Sequence, residues 1–154
     1  MRYAHTNIVA RDWKLLADFY CAVFECVPIP PQRDQSGDWL DKGTGLTNAH
    51  LRGMHLLLPG YGKSGPTLEI YQYTDMVPAE AHGANKQGFT HIAFEVEDVE
   101  ACIRSILKHG GSHVGRISNT AVKGVGTITF AYMADPEGNI LEIQHWDREI
   151  DETN

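Results

Sequence analysis

Two stretches of this 154-residue chain repeat one another, and a duplication restricts the possible architectures more than any single motif does. His5-Thr-Asn-Ile-Val-Ala-Arg-Asp12 and His91-Ile-Ala-Phe-Glu-Val-Glu-Asp98 each run from a histidine to an aspartate seven positions on. Each is followed by apolar residues at helical spacing. Later in each half the tripeptide Leu-Glu-Ile recurs, as Leu68-Glu69-Ile70 and Leu141-Glu142-Ile143. The stretch from His5 to Glu69 is longer than that from His91 to Glu142, so the first half carries a longer loop region.

The local patterns predict one structural unit used twice. Residues 3–10 and 88–96 read as strands. Asp12 and Asp98 are placed as N-caps, where a carboxylate accepts from the free N–H groups of a first helical turn. Trp13, Leu16, Ala17, Tyr20, Val23 and Phe24 then mark a helix, as do Val99, Cys102, Ile103, Ile106 and Leu107. Gly110-Gly111 stops the second helix, since glycine adopts left-handed backbone angles cheaply. Strands follow at about 27–33, 47–58 and 67–73, and at about 112–118, 125–134 and 140–146. Pro28, Pro30 and Pro31 make the first of these an edge strand. Asp135-Pro136-Glu137-Gly138-Asn139 reads as a turn. The chain is therefore expected to be one α+β domain of two βαβββ modules, at about 3–75 and 88–146. A linker at about 76–87, containing His82, joins them, and an acidic tail follows at 147–154.

Alternation along the strands sorts the polar residues by face. His5, Glu69, His91 and Glu142 each lie opposite a mostly apolar face. If helices cover the apolar faces, all four point to the concave side. Two imidazoles and two carboxylates form a mixed nitrogen and oxygen donor set. Such a set suits one divalent ion such as Ni²⁺, Co²⁺, Mn²⁺, Fe²⁺ or Zn²⁺. Four protein ligands in an octahedral shell leave two positions for water or substrate. Tyr71, Tyr73, Gln144 and Trp146 share the faces of these glutamates and are candidates to line a substrate pocket.

With these residues in view, the chain resembles the vicinal oxygen chelate superfamily, which includes glyoxalase I, methylmalonyl-CoA epimerase, fosfomycin- and bleomycin-resistance proteins and extradiol dioxygenases. The resemblance runs from His5 to about Trp146. It is carried by His5-Thr6 with Asp18-Phe19-Tyr20, by Thr90-His91-Ile92-Ala93-Phe94, and by the 135–139 turn leading into Leu141-Glu142-Ile143. It implies paired βαβββ modules cupped around one divalent metal held by His5, Glu69, His91 and Glu142. It also implies a homodimer, since modules of this superfamily often pair across chains.

The chemistry the resemblance implies is coordination of neighbouring substrate oxygens and stabilisation of an enediolate or enolate, with a carboxylate moving a proton between adjacent carbons. Glu142 and Glu69 are the candidate bases, Glu142 the preferred one. The His/Glu/His/Glu set resembles that of glyoxalase I. So does Val122-Lys123-Gly124-Val125-Gly126-Thr127, similar to the substrate-side loop of bacterial glyoxalases, with Lys123 as a substrate contact. Bacterial glyoxalase I tends to carry Arg four positions after the first ligand and Asn four after the second, both holding glutathione. This chain has Val9 and Tyr73 there. The expected activity is thus a metal-dependent lyase or isomerase on a small α-oxygenated substrate, with glutathione use left open. An epimerase or a ring-cleaving dioxygenase is the alternative within the superfamily. A metal-free binding protein of the bleomycin-resistance type is the alternative of another class, although such members lack the four ligands.

Composition narrows the partners. Thirteen Lys+Arg against 20 Asp+Glu give a net charge of −7, the wrong sign for non-specific nucleic-acid binding. No apolar run approaches the ~20 residues of a membrane span, and no signal-peptide pattern opens the chain. Cys21, Cys26 and Cys102 are an odd number without framework spacing, so a reducing, cytoplasmic setting is expected. Gly62-Lys63-Ser64 is not a phosphate-binding loop, because position 57, where that motif needs glycine, is Leu57. His55 reads as an ordinary polar strand residue, and His145 as a partly packed one.

Overall fold

The computed structural model describes residues 1–79 and 83–148. The chain divides into two compact units, Met1–Glu80 and Ala81–Asn154. It is an α+β protein with one mixed sheet in each unit.

In the first unit the order is β1 (His5–Val9), α1 (Trp13–Phe24), β2 (Val27–Ser36), α2 (Asp38–Thr44), β3 (His50–Leu57) and β4 (Thr67–Tyr73). The sheet order is β1-β4-β3-β2. β1 runs parallel to β4, and the remaining pairs are antiparallel. Asp12 caps α1 as expected, its carboxylate accepting from the N–H groups of Lys14 and Leu15 at 3.1 Å each. Trp13, Leu16, Ala17, Tyr20 and Phe24 are buried, and α1 lies against β3 and β4. The strand face beneath it supplies buried Leu56, Leu68 and Ile70. Burying one such side chain contributes roughly 1.5–3 kcal/mol, so this contact is what fixes which face of the sheet is left for polar residues.

The second unit contains β5 (His91–Glu95), α3 (Val99–Lys108), β6 (Ser112–His113), β7 (Ser118–Val122), β8 (Gly126–Ala134) and β9 (Ile140–Arg148). β5 is parallel to β9, β9 is antiparallel to β8, and both β6 and β7 pair with β8. Asp98 caps α3 by accepting from the Ala101 N–H at 2.8 Å. Val99, Ile103 and Ile106 are buried, as are Ala131, Met133, Leu141 and Ile143 on the strands that α3 packs against.

The structure departs from the expected elements at identifiable places. The long first-half loop contains α2, a short helix with a glycine at each end, Gly37 and Gly45, and Leu40 as its buried residue. β2 is the edge strand that its prolines predict, and its register shifts between Ile29 and Arg33. The strand expected at 112–118 is two separate pieces, β6 and β7. Asp147 and Arg148 belong to β9 rather than to a tail, because they pair with Thr127 and Gly126. Residues 149–154 and His82 lie outside the described residues. Among the described residues no helix is long and apolar enough to cross a membrane.

Candidate metal and substrate site

In each unit the first and last strands are hydrogen-bonded neighbours, and each such pair carries one histidine and one glutamate. His5 Nδ1 lies 3.4 Å from Glu69 Oε1, and His91 Nε2 lies 3.0 Å from Glu142 Oε2. The two arrangements are equivalent in register. His5 is opposite Thr67 and Glu69 opposite Asn7; His91 is opposite Ile140 and Glu142 opposite Ala93. The glutamate therefore sits two residues beyond the histidine's rung in both units. Alternation points each toward the face that α1 or α3 does not cover.

In the first unit a further histidine joins the pair. His55 is opposite Glu69 on β3, and its Nε2 lies 3.3 Å from Glu69 Oε1 and 2.6 Å from the Tyr71 hydroxyl. Burial lowers the His55 pKa, with Glu69 opposing that shift. Burial first, then the charge of Glu69, push the Tyr71 phenol up to about 12. Tyr71 owes its position to Gly53 across the strand pair. A Cβ at Gly53 would stand 2.5 Å from Tyr71 Cδ1 and 2.0 Å from the Ile70 carbonyl oxygen. Tyr73 packs with Tyr71 against buried Leu40, Ala49 and Leu51, so its ring supports α2 as well as the sheet face.

In the second unit the other ring nitrogen of His91, Nδ1, lies 3.1 Å from the Thr90 hydroxyl, which orients the ring. Tyr132 lies opposite Glu142, with its ring 5.0 Å from that of His91. Its pKa is raised by burial and then by Glu142. Phe130, opposite Gln144, meets Tyr132 edge-on at 6.0 Å, and Trp146 lies opposite Ile128 under the Arg148 guanidinium. Gln144 and Trp146 thus share the Glu142 face with an aromatic wall. Lys123 is exposed in the turn between β7 and β8.

The turn before β9 aims Glu142. Asp135 is 2% exposed, and its Oδ1 accepts from the Glu137 and Asn139 N–H groups at 2.9 and 3.0 Å. Its Oδ2 accepts from the Asn139 amide at 2.8 Å. His145 points to the opposite face, its side chain 37% exposed, and donates from Nδ1 to the Val96 carbonyl at 2.8 Å.

Three site-facing residues escape the sequence pattern. His55 stands beside Glu69 rather than being an ordinary strand residue. Phe130 and Tyr132 were readable from the alternation Ile128, Phe130, Tyr132 along one strand, although that strand contains neither half of the repeat. Among the described residues, no group of three or more His, Cys, Asp and Glu side chains is arranged so as to hold a metal ion. Each His–Glu pair can supply two donors to a cation, or pass a proton between carboxylate and imidazole.

A sequence model of the glyoxalase/bleomycin resistance protein/dioxygenase superfamily matches residues 4–132. The match spans His5, Glu69 and His91 and ends before Glu142. The chain is also similar in fold to solved structures. A glyoxalase family protein from Bacillus cereus is 17% identical with a TM-score of 0.73, over 95% of this chain and 93% of that one. A glyoxalase family protein from Enterococcus faecalis is 23% identical with a TM-score of 0.58, over 93% and 96%. A glyoxylase/bleomycin resistance protein/dioxygenase domain from Frankia is 15% identical with a TM-score of 0.59, over 95% and 98%. No curated protein matches the chain.

Proposed function

Because the chain belongs to the glyoxalase/bleomycin resistance protein/dioxygenase superfamily, we propose that it is a divalent-metal-dependent lyase or isomerase of the glyoxalase type, acting on a small α-oxygenated substrate. One observation carries this reading: the same His–Glu pair recurs at the same strand positions in both units, at 3.4 and 3.0 Å. Each pair brings an imidazole nitrogen and a carboxylate oxygen together, donor types that a divalent ion takes. In this reading His5, Glu69, His91 and Glu142 would be the metal ligands, for Ni²⁺, Co²⁺, Mn²⁺, Fe²⁺ or Zn²⁺. When bound, the ion would supply Lewis-acid polarisation of substrate oxygens and offset developing negative charge.

The chain's own residues provide the rest. Glu142 takes a proton from the carbon beside the substrate carbonyl and returns it to the neighbouring carbon, with Glu69 the second candidate for that role. Tyr71, Tyr73, Gln144, Trp146 and Lys123 contact the substrate. The aromatic wall of Phe130 and Tyr132 excludes water around Glu142. A homodimer in a reducing, cytoplasmic setting completes the reading. Free Cys21, Cys26 and Cys102 support that setting, with burial pushing the Cys26 and Cys102 thiols up to about 12 and about 11.

The test is metal analysis of the purified chain, then a screen of α-ketoaldehyde thiol adducts, 2-acyl-CoA epimers and catechols. One tightly held ion per chain, lost in His91→Ala, with turnover of the thiol adducts, is the expected result. Turnover of epimers or catechols instead would reassign the reaction within the superfamily. Failure to retain any of the five metals would leave a metal-free binding protein.

A further inference from the structure

The first unit holds a cavity of about 530 Å³ on the side of its sheet away from the His5–Glu69 pair. Asp34, Arg52 and Gln72 form one cross-strand row over β2, β3 and β4. The adjoining row, Arg33, Gly53 and Tyr71, points the other way, toward Glu69 and His55. Asp34, Arg52 and Gln72 therefore belong to the α1 face. They line the cavity together with Gln32 and with Trp13 and Lys14 from the first turn of α1. That volume is within the usual range for a small-molecule site, roughly 300–1,000 Å³.

The polar groups of this wall are unevenly committed. Its two carboxylates are engaged. Asp12 caps α1 through the Lys14 and Leu15 N–H groups, and Asp34 is held by His50 at 2.6 Å and by Arg52 Nε at 3.2 Å. The donors have capacity left over. Arg52 uses only Nε, so among the described residues both terminal nitrogens of its fork lack a partner. The Lys14 ammonium lies 5.6 Å from the Trp13 ring centroid and makes no ion pair among the described residues. The Gln32 and Gln72 side-chain amides likewise make no hydrogen bond among the described residues. In a chain of net charge −7, this is a local excess of cationic and N–H donors beside the Trp13 indole.

We infer that this cavity is a binding site for a small organic oxyanion, a carboxylate or a phosphate monoester attached to a flat apolar body. The Arg52 fork matches two coplanar oxygens, Lys14 adds a point charge, and the Trp13 indole takes the apolar part. The inference does not depend on the metal reading, since no residue of the two His–Glu pairs takes part.

The experiment titrates the full-length protein, without added metal, with benzoate, phenyl phosphate and benzamide in separate NMR and calorimetric runs at constant ionic strength. Saturable binding of benzoate or phenyl phosphate is expected, with shifts at the Trp13 indole N–H and the Arg52 and Gln72 amides, and none with neutral benzamide. Which anion binds more tightly tells a carboxylate from a phosphate ligand. Combining Lys14→Gln with Arg52→Gln should weaken binding at least about tenfold, as expected for losing charge-assisted hydrogen bonds. Lys14→Arg keeps the charge and should retain binding, and circular dichroism checks that each variant folds. Three results would each overturn the inference: no saturable shift with either anion, equal binding of benzamide, or shifts mapping to His5, His55 and Glu69 instead.

Discussion

His91 and Glu142 meet although their backbones are out of step: His91 is opposite Ile140, Glu142 is opposite Ala93, and the imidazole still reaches the carboxylate at 3.0 Å. A two-residue offset on parallel neighbours keeps both side chains on one face. His5 and Glu69 repeat it on β1 and β4. An offset of one residue would have put one partner of each pair against the helix, in the apolar core.

That geometry makes the two glutamates separable by mutation. Glu142→Gln keeps an oxygen donor but cannot accept a proton. It should retain a bound metal and lose turnover by roughly 10²–10⁴-fold. Glu69→Gln should retain a larger share of activity. Metal content and kcat on the same preparations check this, and full turnover in Glu142→Gln would move the base role to Glu69.

Gly53→Ala tests how Tyr71 is seated. The added methyl meets the Ile70 carbonyl at 2.0 Å and Tyr71 Cδ1 at 2.5 Å, so strand and ring must both shift. A loss of about 1–3 kcal/mol is expected, the usual range for overpacking. It is read by urea unfolding, with broken His55–Tyr71 contact visible in the Tyr71 ring resonances.

The repeat and the period-two alternation were enough to single out His5, Glu69, His91 and Glu142, which the structure brings together as two His–Glu pairs. Other parts left weaker traces. β7 is exposed at every position, Ser118 to Val122, so it presents no apolar alternation and is held by its backbone pairing to β8. α2 has Leu40 as its single buried residue, too little for a helical stripe to show. In sequence His55 reads as an ordinary polar strand residue. Its partners, Glu69 and Tyr71, lie across a strand pairing whose register depends on the loop between β3 and β4.

Asp135→Ala should be costly although the residue lies outside both His–Glu pairs. Its buried carboxylate accepts from two backbone N–H groups and one side-chain amide. Hydrogen bonds to a charged group contribute roughly 1.5–3 kcal/mol each when not fully replaced. Thermal unfolding should show a drop of at least about 2 kcal/mol on that scale. Asp135→Asn, which keeps one acceptor oxygen, should recover part of it.

His145 gives a pH signature. Its hydrogen bond to the Val96 carbonyl, aided by Asp147, raises its pKa above the ordinary histidine value. The folded state thus binds this proton more tightly than the unfolded chain. The associated stability is fully present below about pH 6.5, the unfolded value. It is lost as pH rises through the folded value. An NMR titration of the His145 ring should give a midpoint above that of an unfolded peptide, and His145→Gln should remove this component of the pH–stability curve.

The parallel pairing of each unit's first and last strands has a consequence for assembly. Histidine and glutamate come from opposite ends of a module and become neighbours only when its ends are zipped together, the contact with the largest loop-closure cost. Neither a β1–α1 fragment nor an isolated β3–β4 hairpin can assemble the His5–Glu69 pair. A ribosome must release most of a module before the pair can exist, and a mutation that loosens β1 or β5 at the edge would disarm the chemistry while sparing most of the core.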